Sequence, residues 1–136
     1  MENVLFKIRI AVLWIFLAVA MSASMILSFM GPGTIEKVMA GTMEGLKLTS
    51  GIIIFFSLFW LIPMAMAFLS VTLQDSINRK INIILGIIFT VFYIGHLLMH
   101  LMQGKLPVDH LVMCLLMILL PVLILWYALK WPIVRK

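Results

Sequence analysis

Four stretches of this chain, residues 10–30, 48–73, 81–102 and 108–129, are long, apolar and uncharged through their bodies, with Asp109 standing at the edge of the fourth. Each is long enough to cross roughly 30 Å of hydrocarbon as a helix rising about 1.5 Å per residue. A segment in hydrocarbon must bond its own backbone polar groups, and a single apolar stretch does that as a helix. The expected fold is therefore all-α. It is a four-transmembrane-helix up-down bundle forming one domain over residues 1–136. Composition agrees: 65% of residues are hydrophobic and 11% charged, with a mean hydropathy of +1.23, against about 25% charged in a soluble domain. The bilayer is the expected solvent. The ten basic residues are scattered, with no run dense enough to track a nucleic-acid backbone.

The connections differ in kind. Gly31-Pro32-Gly33 should end the first helix. Over residues 34–47, Ile35, Val38, Met39, Met43 and Leu46 fall on one helical face, with Glu36, Lys37, Glu44 and Lys47 largely elsewhere. That pattern predicts a short amphipathic helix lying in the membrane interface, with an ordinary structured loop as the rival. Gln74-Asp75-Ser76-Ile77-Asn78 reads as a tight polar turn. Gly104 suits the residue just past a helix end, and Pro107 the first turn of the next helix. Pro63 lies mid-span and predicts a kink. Ala20, Ser24 and Ser28 recur every four residues and would let another helix approach closely. Ala18-Val19-Ala20 resembles a signal-peptide cleavage site, but the apolar run continues well beyond it.

Four spans put both termini on one side. Lys7, Arg9, Arg79, Lys80, Lys130, Arg135 and Lys136 collect there, against Lys37, Lys47 and Lys105 on the other. The positive-inside rule then places both termini in the cytoplasm. The bodies of the spans hold no acid or strong base, so histidine is the one group left for ion coupling within the membrane.

Reactive side chains gather at the opposite end. His96 and His100 are one helical turn apart, and Met99 and Gln103 extend that side. In the fourth segment His110, Met113, Cys114 and Met117 form a matching stripe. The short turn between the segments puts the two stripes at one depth, in the outer leaflet. By helix rise, His96 should lie about 7 Å beyond the midplane. The second span is the most aromatic, with Phe55, Phe56, Phe59 and Trp60. The candidate ligand-binding residues are thus His96, Met99, His100, Gln103, His110, Met113, Met117 and Trp60. His96, His100 and His110 are the candidate metal ligands. Imidazole with thioether and thiol suits Cu(I), and a haem would take one histidine from each helix. The same stripes also fit ordinary packing, and Glu36 and Glu44 lie on the side where they would roof such a site. There is no Ser-His-Asp set, phosphate loop or CxxC that would mark an enzyme.

Several runs look familiar. Arg9-Ile10-Ala11-Val12-Leu13-Trp14, Met30-Gly31-Pro32-Gly33, Ile62-Pro63-Met64-Ala65-Met66-Ala67-Phe68-Leu69-Ser70, Ile77-Asn78-Arg79-Lys80-Ile81-Asn82-Ile83-Ile84-Leu85-Gly86 and Leu125-Trp126-Tyr127-Ala128-Leu129-Lys130-Trp131 resemble a family of small bacterial four-span membrane proteins of unknown function. The architecture is more loosely similar to DoxX-like membrane proteins, some of them tied to quinone-linked sulfur oxidation. The resemblance implies a fold and a membrane, the inner membrane of a bacterial cell, without a chemistry. It also implies occasional acids in the first and fourth spans, where this chain has Ser24 and Met117.

The leading expectation is an accessory protein, more a binder than an enzyme. It would take a lipophilic small molecule such as a quinone or lipid from the outer leaflet, with no resident cofactor. The alternatives are a small redox subunit carrying haem or copper, and a homo-oligomeric transporter or channel built on the Ala20/Ser24/Ser28 face.

Overall fold

The computed structural model describes residues 2–104 and 107–132, with the side chains of Glu2 and Asp109 excepted. Lys105, Arg135 and Lys136, which enter the charge asymmetry, lie outside the described residues. The elements are α1 (Glu2–Phe29), α2 (Thr34–Met39), β1 (Thr42–Met43), β2 (Leu46–Lys47), α3 (Ser50–Thr72), α4 (Asp75–Met102) and α5 (Val108–Lys130). Among the described residues α1, α3, α4 and α5 are long and apolar enough to cross a membrane.

The four long helices run up and down, and stacked Phe6 and Trp131 rings bring the two termini to one end. One face of each helix is buried. Ile10, Trp14, Leu17 and Ala20 of α1 meet Met66 of α3, Phe89 and Tyr93 of α4, and Met117, Leu120, Ile124 and Ala128 of α5. The three-to-four-residue spacing is that of a single helical face. The outward faces are equally apolar, with Phe16, Val19, Phe68, Val91 and Leu119 all exposed. Monomeric water-soluble proteins rarely expose large contiguous apolar patches.

The helices pack unevenly. α1 lies against α3 and α5, and α5 against α4, whereas α3 and α4 hardly touch along their backbones although only Leu73 and Gln74 separate them. Gly86 sets the close α4–α5 approach: a Cβ there would stand 3.1 Å from Leu125 Cβ and 3.3 Å from its backbone. The α3–α4 seam is instead bridged by rings. Phe59 of α3 sits 4.4 Å, centroid to centroid, from both Phe89 and Phe92 of α4.

The terminal end is fastened by polar groups. Asn78 Nδ2 donates to Ser70 O (2.6 Å), Asn82 Nδ2 donates to Asn78 Oδ1 (2.7 Å), and Trp14 Nε1 donates to Asn82 Oδ1 (2.6 Å). This buried chain links α3, α4 and α1. At the helix ends Lys7 pairs with Asp75 at 2.8 Å and donates to Leu73 O, and Asn3 donates to Asp75. Arg79 donates to Ala128 O and Leu129 O, closing the last carbonyls of α5 as basic groups do at helix C-termini.

Three expectations are corrected. The amphipathic helix covers Thr34–Met39, and the rest of the 34–47 stretch is an antiparallel hairpin pairing Thr42 with Lys47 and Met43 with Leu46. Its turn residues Glu44 (φ 49°) and Gly45 (φ 81°) take the left-handed conformations that a two-residue hairpin turn requires, and Gly41 (φ 81°) before it is left-handed too, which a helix excludes. The polar turn 74–78 is mostly helix, because α4 begins at Asp75, whose charge is met by Lys7. Pro107 precedes α5 and its carbonyl accepts from Leu111 N. Gly104 does take the left-handed conformation, at φ 63°. α3 continues as helix across Pro63.

Candidate functional site

At the end opposite the termini, the loose α3–α4 seam widens into a cavity of about 360 Å³. Met21, Ser24, Met25 and Ser28 of α1 form one side, and Ile53, Phe56, Ser57, Phe59 and Trp60 of α3 another. Phe92, Tyr93 and His96 of α4 and Met117 and His110 of α5 close the back. Met43, Glu44, Leu46 and Leu48 of the hairpin region complete the lining. The space exists because α1 turns Ser24 and Ser28 toward it while the α3 and α4 rings hold their backbones apart. Ala20, in the same row of small residues, is buried in the core, so that row faces the interior of the chain.

α4 and α5 bring the three imidazoles together. Ring centroids are 4.6 Å apart for His96 and His100, 4.3 Å for His100 and His110, and 5.6 Å for His96 and His110. One nitrogen from each lies within 4.8 Å of the others. The geometry follows from the sequence: i and i+4 on α4 share a face, and His110 in the first turn of α5 stands across from them. His100 Nε2 is buried and makes no hydrogen bond; Glu44 Oε2 is 3.9 Å away. The Tyr93 hydroxyl is also buried without a hydrogen bond, and Cys114, one turn beyond His110, is a buried free thiol.

The sequence-predicted residues divide. His96, His110, Met117 and Trp60 line the cavity, and His100 stands behind them against Glu44. Met113 packs partly buried on the core. Met99 is 43% exposed and Gln103 is exposed at the helix end, so neither reaches the cavity wall. Glu36 borders a separate open hollow beside Gly31 and Gly33. Sequence reasoning missed Tyr93, Phe92, Ser24 and Ser28 as lining residues. For Tyr93 a signal existed: it lies three residues before His96, on the same helical face.

The architecture defines a class, a polytopic helical bundle with four potential membrane-crossing helices and a histidine cluster at the edge of an apolar cavity. The chain belongs to a family of unknown function, DUF6326, whose model matches residues 5–134. No curated protein and no solved structure matches it. The family match carries no link to DoxX-like proteins.

Proposed function

We propose that this protein binds a lipophilic small molecule of the quinone or lipid class inside the bacterial inner membrane, acting as an accessory binding protein. The observation that supports this reading is the seam cavity. It is walled mainly by apolar and aromatic side chains with a minority of polar ones, and it is lined in part by α3 and α4, which pack loosely against each other. Small-molecule sites have this composition. An aromatic wall at Phe59 and Trp60 suits a flat ring or an unsaturated tail. His96 and His110 supply the polar groups to orient a carbonyl or hydroxyl head.

The test uses protein without a polyhistidine tag, in nanodiscs, titrated with a short-tailed quinone. Saturable fluorescence quenching is expected, and most of it should vanish in Trp60→Phe, because the other tryptophans lie outside the cavity lining. Quenching that rises linearly and equally in both proteins would sink the idea. Native mass spectrometry of the same preparation identifies a co-purifying lipid or quinone.

In this reading both termini are cytoplasmic. Lys7, Arg9, Arg79, Lys80 and Lys130 stand at the terminal end, and Lys37 and Lys47 at the other, the bias of the positive-inside rule. In a Cys114→Ser background, a membrane-impermeant maleimide added to spheroplasts is expected to label Thr42→Cys and to spare Ser76→Cys. The reverse pattern would invert the orientation.

A further inference from the structure

We propose that His96, His100 and His110 hold one divalent transition-metal ion with the Glu44 carboxylate as fourth ligand, and that this ion latches the β1–β2 hairpin over the cavity. His96, His110 and Glu44 also line the cavity, but the metal site is tested below with no cavity ligand added. Three lines of geometry carry it.

First, the imidazoles converge. Their nitrogens lie within 4.8 Å of one another. Nitrogens sharing a tetrahedral ion, each about 2.0–2.1 Å from it, are about 3.3 Å apart. Ring rotations moving each nitrogen by about an ångström close that difference, and the three rings are only partly buried. Second, Glu44 approaches one member of the cluster, His100, from another element. The 3.9 Å between His100 Nε2 and Glu44 Oε2 is too long for a hydrogen bond. A movement of about half an ångström would bring the pair to the ~3.3 Å separation of two ligand atoms on one tetrahedral ion. His100 Nε2 is buried without a hydrogen bond, so a metal would satisfy it. Third, Glu44 occupies a turn position with φ 49°, where a residue with a bulky side chain is disfavoured and Gly, Asn or Asp is usual. A ligand role gives a reason for glutamate there.

Three imidazoles and one carboxylate are borderline donors that suit Zn²⁺ or Cu²⁺, whereas Mg²⁺ and Ca²⁺ take all-oxygen sites. Centroids 4.3–5.6 Å apart leave room among the rings for an ion and none for a porphyrin plane. The ligands come from α4, α5 and the hairpin, so one ion would tie the hairpin side of the cavity to its α4 and α5 side.

The experiment titrates tag-free, chelator-stripped protein in detergent with Zn²⁺, Cu²⁺ and Mg²⁺. One equivalent of Zn²⁺ or Cu²⁺ is expected to survive gel filtration, and no Mg²⁺. X-ray absorption should show a nitrogen and oxygen shell with imidazole scattering. H96A/H100A/H110A should abolish uptake, with the single variant His100→Asn read by affinity if the triple variant fails to fold. Glu44→Gln should weaken binding by at least about tenfold, the loss brought even by a residue that only hydrogen-bonds to a metal ligand. Bound metal should also slow amide exchange over residues 41–47 in the parent and not in Glu44→Gln. No retained Zn²⁺ or Cu²⁺, or equal uptake by the histidine variants, overturns the site. Unchanged affinity in Glu44→Gln with unchanged hairpin exchange overturns the latch.

Discussion

Replacing Trp14 with alanine is expected to destabilise the bundle by about 3–5 kcal/mol, the range for truncating a large buried aromatic. Trp14 is fully buried, packs edge-on against Phe89 at 5.5 Å, and donates from Nε1 to Asn82 Oδ1. Its loss opens a void where α1, α3 and α4 meet and leaves the Asn82 acceptor unmatched. The two contributions are separable. Trp14→Phe keeps a ring and removes the donor. Asn82→Leu removes the acceptor and the donor that serves Asn78. Leaving a buried partner unsatisfied costs about 1–3 kcal/mol, while double-mutant cycles in a membrane protein give coupling averaging about 0.6 kcal/mol. Each single variant should therefore cost less than Trp14→Ala, and the Trp14→Phe/Asn82→Leu double variant less than their sum. Thermal unfolding in detergent reads all four. Strict additivity would mean that the indole and the amide are not energetically coupled.

That pair also shows where sequence reading stops. The four helices were legible because long uncharged runs leave the backbone one way to satisfy itself. Their terminal ends were not. α1 and α4 extend into charged sequence because Lys7 and Asp75 satisfy each other across the bundle, and Arg79 caps α5 rather than serving only as a topology signal. A charge taken as the mark of a turn becomes helical once its partner is known, and that partner lies more than sixty residues away. Asn78 and Asn82 carried a readable sign, an i, i+4 amide pair entering an apolar run. Their roles depend on Trp14 and Ser70, which only the packing brings close.

The histidines were the legible part of the candidate site, since helical spacing and a short turn suffice to put them at one level. The cavity was not, because it depends on which neighbouring helices fail to pack, and hydropathy is the same on tight and loose seams. The hairpin was hidden for a different reason. Apolar residues at helical spacing do not reveal left-handed φ values, which Gly41, Glu44 and Gly45 take. Without that turn Glu44 has no defined relation to His100.

Ser24→Phe is expected to weaken binding of the proposed quinone or lipid by at least about tenfold, or about 1.4 kcal/mol, while leaving metal uptake unchanged. Ser24 lines the cavity from α1, and a phenyl ring there takes up space inside its roughly 360 Å³. Overpacking costs stability where a core is already full; here the ring enters open space, so the folded state should persist. The histidines lie on α4 and α5, and Glu44 on the hairpin, so all four proposed ligands stay in place when only the α1 side of the cavity is filled. Trp60 quenching and metal stoichiometry, measured on one preparation, separate the possibilities. Unchanged quinone affinity would place the ligand elsewhere on the lipid-facing surface. Joint loss of ligand and metal would show that cavity and histidine cluster form one unit that collapses together, so the hairpin would be held by packing across the cavity rather than by a separable ion.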